Sequence, residues 1–246
     1  MFIGLMEINP GRSTTHTLSG VGVACRPIAV LFDSGGVLMQ PIGGRWNPRA
    51  DFEQILTTAV PTLAPDAIAA AIEVGDAFLH ASGGTPSYDD YHRIILEQLH
   101  IRPTAELLAE LTRPVDPGTI LETFPEVLPT LRQLRRRGVP MAVVSDAWPN
   151  LPVLHAALGL DEFFEAYAIS AELGCRKPDP RMYRYASDAL GLPPEHCLFL
   201  DDDPSLVAAA IALGYHGLAV LREPGQTTAE PEVPFIHSLD ALLDHF

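Results

Sequence analysis

Residues 28–39, IAVLFDSGGVLM, decide how the rest of the chain is read. Ile28, Ala29, Val30, Leu31 and Phe32 form an apolar run with no polar interruption, the pattern of a strand covered on both faces. The run stops at Asp33, and Ser34-Gly35-Gly36 turns the backbone sharply. Asp33 therefore stands at the C-terminal tip of a buried strand, where open parallel sheets form ligand crevices. An aspartate that only caps the turn would give the same local pattern. The other strand ends must decide between the two.

Before this strand, residues 1–26 lack periodicity and are rich in Ser, Thr and Gly. They read as a loose N-terminal extension and a candidate for disorder. After it, residues 40–45 read as a Pro/Gly linker, and Asn47-Pro48 as an N-cap with proline at the first helical position. Residues 45–118 then read as helical throughout. Phe52, Ile55, Leu56, Ala59 and Val60 share one face, and further helices are predicted over 67–79, 88–99 and 104–111. Past Pro125 the pattern alternates. Strands are predicted over 139–145, 166–170, 196–200 and 217–221, with helices over 127–137, 151–158, 180–190, 205–213 and 239–245. Alternation of this kind predicts an α/β fold with a doubly wound parallel sheet. The sheet is built from 27–44 and 119–246, and the small all-helical insertion is 45–118.

Composition narrows the function. The chain has 246 residues, 47% apolar and 19% charged, enough for a substantial core. Its net charge is −15 and its longest basic run is Arg135-Arg136-Arg137 at a predicted helix end, which suits the helix dipole. Nucleic acid is excluded as an expected partner, because phosphate backbones need clustered cations. No apolar run reaches membrane-spanning length and the first residues do not resemble a signal peptide, so a cytoplasmic, non-membrane protein is expected. Cys25, Cys175 and Cys197 show no metal-site spacing and read as small apolar fillers.

Three further strand ends carry polar groups: Ser145 after Val143-Val144, the loop Gly174–Pro180 with Lys177, and Asp201-Asp202-Asp203 after Leu198-Phe199-Leu200. A parallel sheet brings such ends to one edge. Ser145 could instead cap the following helix, and Asp203, before Pro204, reads as an N-cap. Asp201 and Asp202 are adjacent carboxylates, which repel unless a cation is near; a hard ion such as Mg²⁺ takes oxygen ligands of this type. Lys177 is the only lysine among 16 basic residues. A chain that otherwise uses arginine has kept a compact ammonium there, suited to neutralising a carboxylate or a phosphoryl oxygen.

The segments FDSGGVL (32–38), VVSDA (143–147), GCRKPDPRMY (174–183) and LFLDDDPSLVAAAIALG (198–214), in this order, resemble the four motifs of the haloacid dehalogenase-like (HAD) hydrolase superfamily. The resemblance covers about residues 28–221. It implies a Rossmann-like core, with the 45–118 block as the cap inserted after the first motif. It implies a hydrolase, with a Mg²⁺-dependent phosphatase of a small phosphate monoester as the leading expectation. Asp33 would be the nucleophile that forms an aspartyl-phosphate. Ser145, Asp146 and Lys177 would face the substrate, Ser145 and Lys177 in catalytic roles. Asp33, the Gly35 carbonyl, Asp201 and Asp202 would surround Mg²⁺. One departure stands out: the phosphatase pattern has an acid/base aspartate two residues after the nucleophile, and here that position is Gly35. Asp146, a cap side chain or an acidic leaving group could compensate. Two alternatives follow from the gap, a metal-independent 2-haloacid dehalogenase and a catalytically weak phospholigand-binding or regulatory protein. Arg45, Trp46 and Arg49 lie where they could face substrate or hold structure, and Tyr183 reads as packing.

Overall fold

The computed structural model describes residues 26–223 and 225–246; Cys25 and, apart from Arg26, the expected N-terminal extension lie outside them. Six strands form one all-parallel sheet in the order β5-β4-β1-β6-β7-β8: β1 (Ala29–Phe32), β4 (Met141–Ser145), β5 (Ala166–Ile169), β6 (Cys197–Asp201), β7 (His216–Val220) and β8 (Phe235–Ile236). β1 is central, paired with β4 on one side and β6 on the other. The chain runs outward through β4 and β5, then returns across β1 to β6. The strand order therefore switches beside the tip of β1, where doubly wound sheets hold ligands.

Alternation explains why β1, β4 and β6 are buried on both faces. Val30 and Phe32 face one layer with Val127, Leu131 and Leu134 of helix α5 (Val127–Arg136). Ala29 and Leu31 face the other, with Met182, Tyr183 and Ala186 of α8 (Pro180–Ala189) and Val207 and Ala210 of α9 (Pro204–Ala212). Cys175 and Cys197 are buried in this second layer, as fillers. Tyr183 is packing as expected, wholly buried and edge-on to Phe199 at 5.0 Å. The α5 arginines end the helix before Gly138, with Arg135 paired to Glu162 and Arg137 donating to the Leu243 carbonyl.

Between β1 and β4 lie α1 (Phe52–Ala59), α2 (Pro65–Ala81), α3 (Tyr88–Gln98) and α4 (Ala105–Leu111), with a separate core that includes Phe52, Leu56, Ile68, Tyr91, Ile95 and Leu108. Two expectations change here. The linker over 40–45 begins inside a strand: β2 (Met39–Pro41) pairs antiparallel with β3 (Leu121–Thr123), so a two-stranded ribbon carries the helical block. Strands of three residues, one containing proline, are too short to show alternation. Asn47-Pro48 does not start the first helix either; α1 begins at Phe52, after Asp51. Asp51 is held by Arg49 at 2.5 Å and Arg113 at 2.7 Å, which ties the beginning of the block to its end. The expected C-terminal helix over 239–245 is present as a 3₁₀ helix.

Two imidazoles are buried without charge. Burial pushes the pKa of His155 and of His92 down to about 4, from 6.5 for the free side chain. Between those values the unfolded chain binds more protons than the folded one, so stability is present above about pH 6.5 and is lost as pH falls toward 4. Urea denaturation of wild type and His155→Phe at about pH 7.5 and pH 5 isolates this contribution: the wild type should lose about 1–2 kcal/mol relative to the variant on going to pH 5; an identical pH dependence of the two proteins would contradict the assignment.

Candidate functional site

The tips of β1, β4 and β6 converge as their sequences predict. Asp33 follows β1 and is 6% exposed, Ser145 ends β4 at 5%, Asp201 ends β6 at 1%, and Lys177 reaches them at 8%. Lys177 Nζ donates to Asp33 Oδ1 at 2.6 Å and to Asp201 Oδ2 at 2.7 Å. Its loop is fixed from below, where the Lys177 backbone N–H donates to Asp146 Oδ1 at 3.0 Å, and Arg176 lies 3.6 Å from the other Asp146 oxygen. Asp146 is thereby an anchor for the lysine loop. Ser145 does not cap the next helix, because α6 (Leu151–Ala157) starts six residues later, after Asn150. Asp203 is the N-cap of α9, its Oδ1 accepting from the Ser205 N–H at 2.8 Å.

The electrostatics follow from burial. Desolvation raises the Asp33 pKa above the usual carboxylate range, opposed by Lys177 and reinforced by Asp202. Asp201 is raised in the same way, by desolvation first. Asp202 is raised by the protein atoms crowding it and by Asp201, although its outer edge reaches solvent. Desolvation works to lower Lys177, but Asp201 and Asp33 outweigh it and raise its pKa above the ordinary lysine range. The ammonium stays charged.

Asp33, Asp201 and Asp202 each offer a carboxylate oxygen, all within 4.8 Å of one another. Three carboxylates share one ammonium, so the ionised cluster is short of two positive charges. Hard oxygen donors in that balance fit a divalent cation such as Mg²⁺. Asp201 commits Oδ2 to Lys177 and Oδ1 to the Asp203 N–H at 2.9 Å. The oxygens left for a cation are therefore mainly those of Asp33 and Asp202.

Two glycines shape the turn after Asp33. Gly36 has φ +72°, and a Cβ there would lie 2.1 Å from Asp202 Oδ2, so only glycine lets Asp202 close onto the turn. At Gly35 a Cβ would lie 3.0 Å from the Trp46 ring. The indole from the start of the helical block covers the position where an acid/base side chain would stand. Arg45 and Arg49, the other linker candidates, are ion-paired with Glu53 and Asp51.

Sequence reasoning missed two supports. Arg222, just beyond β7, donates to the Gly36 carbonyl at 2.8 Å and the Val37 carbonyl at 2.5 Å, and pairs with Glu126. Ser34 Oγ bonds His155 Nε2 at 2.7 Å, and His155 Nδ1 meets Tyr167 Oη at 3.2 Å. Both contacts join residues over a hundred positions apart or deep in an apolar helix, so no local spacing signals them. The helical block meets the sheet beside the crevice through Trp148 Nε1 to the Pro86 carbonyl at 2.6 Å and Arg176 to the Leu79 carbonyl at 2.6 Å.

A parallel sheet with a buried aspartate–lysine–aspartate cluster at its switch point, closed over by a helical block, defines a class of α/β hydrolase. A model of the haloacid dehalogenase-like hydrolase family matches residues 29–214, and the chain belongs to that family. It is 29% identical over 158 residues to phosphatase MT3486 of Mycobacterium tuberculosis, covering 58% of this chain and 72% of that protein. It is 34% identical over 87 residues to glyceraldehyde 3-phosphate phosphatase of Methanopyrus kandleri, spanning about a third of each chain, 33% here and 36% there. In fold it is similar to L-2-haloacid dehalogenase from Xanthobacter autotrophicus, with a TM-score of 0.63, 19% identity, and coverage of 88% of this chain and 96% of that one.

Gly36→Ala should destabilise the protein by about 2 kcal/mol or more, from the left-handed backbone and the displaced Asp202 together. Gly35→Ala should cost less than about 1 kcal/mol, because the half-exposed indole can swing aside. Equilibrium denaturation of the two variants checks the order, and equal costs would contradict it.

Proposed function

We propose that this hydrolase cleaves a small phosphate monoester through an aspartyl-phosphate on Asp33, with Mg²⁺ as cofactor. The observation that carries the reading is the charge balance at the strand tips: three carboxylate oxygens within 4.8 Å of one another and a single ammonium. A dianionic phosphoryl group cannot approach that cluster without further positive charge. Asp33 and Asp202, with the Gly35 carbonyl and Asp201 beside them, would hold Mg²⁺. When bound, it would supply the charge that lets anionic nucleophile and anionic substrate meet. Likeness to phosphatases over part of the chain supports the same choice.

Lys177 fixes the Asp33 carboxylate through Oδ1, so that one of its oxygens would attack phosphorus while the other would serve the cation. The P–O bond to the leaving group breaks as the new P–O bond to Asp33 forms, and the leaving oxygen departs with the electron pair. Water then attacks the aspartyl-phosphate phosphorus, the bond to Asp33 breaks, and inorganic phosphate leaves with the carboxylate restored. Ser145 and the Lys177 ammonium would hold the equatorial oxygens, and Asp146 would act only by fixing the lysine loop. With Trp46 over Gly35, no carboxyl at position 35 protonates the leaving group.

Release of phosphate from p-nitrophenyl phosphate should require Mg²⁺, stop with chelator, and be abolished by Asp33→Asn. An alkyl phosphate should react about 10²–10⁴-fold more slowly, the usual worth of a positioned acid. Turnover that survives Asp33→Asn would overturn the mechanism. The covered Gly35 also favours a second reading, 2-haloacid dehalogenation, since a departing halide needs no proton. Halide release from 2-chloropropionate without metal, in place of phosphate release, would select it. Tight phosphate binding with neither product would instead select a binding role.

A further inference from the structure

Ser34 follows Asp33 directly, and its groups are bonded in three directions. Its carbonyl accepts the N–H groups of Leu38 at 2.9 Å and Met39 at 3.1 Å, which closes the turn. Its own N–H lies against the Asp33 carboxylate: desolvation raises the pKa of that group, and Lys177 and the Ser34 N–H work to lower it. Its hydroxyl meets His155 Nε2 at 2.7 Å, and among the described residues Ser34 Oγ has no second hydrogen-bond partner. Ser34 is 1% exposed and His155 0%. The Phe164 ring lies 5.6 Å from the imidazole, and Tyr167 Oη, from half-buried Tyr167 of β5, ends the row at 3.2 Å from His155 Nδ1.

The proton positions along this row follow from satisfying every group in it. Burial holds the imidazole neutral at pH 7, its pKa pushed down to about 4, so one ring nitrogen carries a proton and the other accepts. With the proton on Nε2, the Ser34 hydroxyl proton would face no acceptor in a place closed to water. With the proton on Nδ1, Ser34 donates to Nε2 and Nδ1 donates to Tyr167 Oη. The Tyr167 hydroxyl proton then lies at the half-buried end of the row.

Such a row adds little to a core as packing. Replacing both members of a buried hydrogen-bonded pair by apolar groups of similar shape is nearly neutral, because each polar group was desolvated to make the bond. What the bond supplies and an apolar pair does not is direction. It sets the rotation of residue 34, whose N–H lies against the same carboxylate that Lys177 fixes through Oδ1.

We infer that His155, accepting the Ser34 hydroxyl at Nε2, is a positioning residue for Asp33. It holds residue 34 so that the backbone N–H stays on the carboxylate in the orientation for attack. This role rests on Asp33 as the nucleophile, which the phosphatase and dehalogenase readings share.

A double-mutant cycle of Ser34→Ala and His155→Phe tests this at about pH 7.5, with His155→Gln as the conservative variant whose side-chain oxygen accepts in place of Nε2. Turnover is read as phosphate from p-nitrophenyl phosphate with Mg²⁺, and as halide from 2-chloropropionate. Each single substitution should lower kcat about tenfold or more with KM within about twofold, the mark of a misaimed reacting group. The double variant should be no slower than the single ones, since both remove the same contact. His155→Gln should restore most of the rate. A second readout needs no turnover. The ¹³C resonance of the Asp33 carboxylate, assigned with Asp33→Asn, should shift alike in Ser34→Ala and His155→Phe and return in His155→Gln. The ¹⁵N spectrum of the wild-type imidazole should place the His155 proton on Nδ1. An Asp33 resonance unmoved in both single variants, rate losses that add in the double variant, or a proton on Nε2 would each overturn the proposal. Absence of both products in the wild type would remove the hydrolytic readings, and the Asp33 resonance would still decide whether His155 positions that carboxylate.

Discussion

The Lys177 ammonium between Asp33 and Asp201 is the contact on which the site depends. A doubly wound sheet sets the tips of neighbouring strands close together, and here two of those tips end in aspartate. Without a cation the arrangement would be repulsive in a poorly solvated place. One ammonium bonded to both carboxylates removes the repulsion between them, and removing one partner from such a buried set typically costs about 3–5 kcal/mol. The ammonium is long enough to reach from a loop outside the strands. It is also held from behind, because Asp146 receives the backbone N–H of the same residue. The carboxylate after Ser145 thus positions the lysine, and the lysine positions Asp33.

The turn after Asp33 is supported by side chains from two distant parts of the chain. Arg222 holds the Gly36 and Val37 carbonyls from the tip of β7, and Phe124 lies beneath its guanidinium at 3.4 Å. His155 holds Ser34 from α6. The same helix follows Trp148, which stacks on Tyr88 and donates to Pro86 in the helical block. One short segment therefore touches the block at its start and the turn after Asp33 at its end.

Much of this was legible in the sequence where local pattern and global fold agree. The apolar run into Asp33, the Val143–Ser145 end, the lone lysine and the Asp201-Asp202 pair all sit at strand tips or in the loop beside them, and the parallel sheet brings them together. Asp203 could be read as a cap because capping is a local rule. The β2–β3 ribbon could not, since each strand has three residues and their pairing spans the whole helical block. Asn47-Pro48 has the form of a helix start, but the Arg45 guanidinium bonds the Pro48 and Arg49 carbonyls and the chain reaches α1 only at Phe52. Arg222 and His155 act across 186 and 121 positions, so nothing near them in sequence points to the turn they hold.

Gly35 shows why a missing residue must be read together with what fills its place. In sequence it is an absent acid. In the structure its lack of a side chain admits the Trp46 indole, so the position is occupied by an apolar surface belonging to the helical block. An acid restored there would have to displace that ring, and the ring also lines a hollow between the helical block and the sheet. Trp46 thus links three properties that local motifs treat as independent: how a leaving group is protonated, how the block sits on the crevice, and what shape of molecule fits beside it. On the phosphatase reading, a leaving group would have to depart without help from position 35 and to fit against an indole face. Both demands come from the same contact between one glycine and one tryptophan.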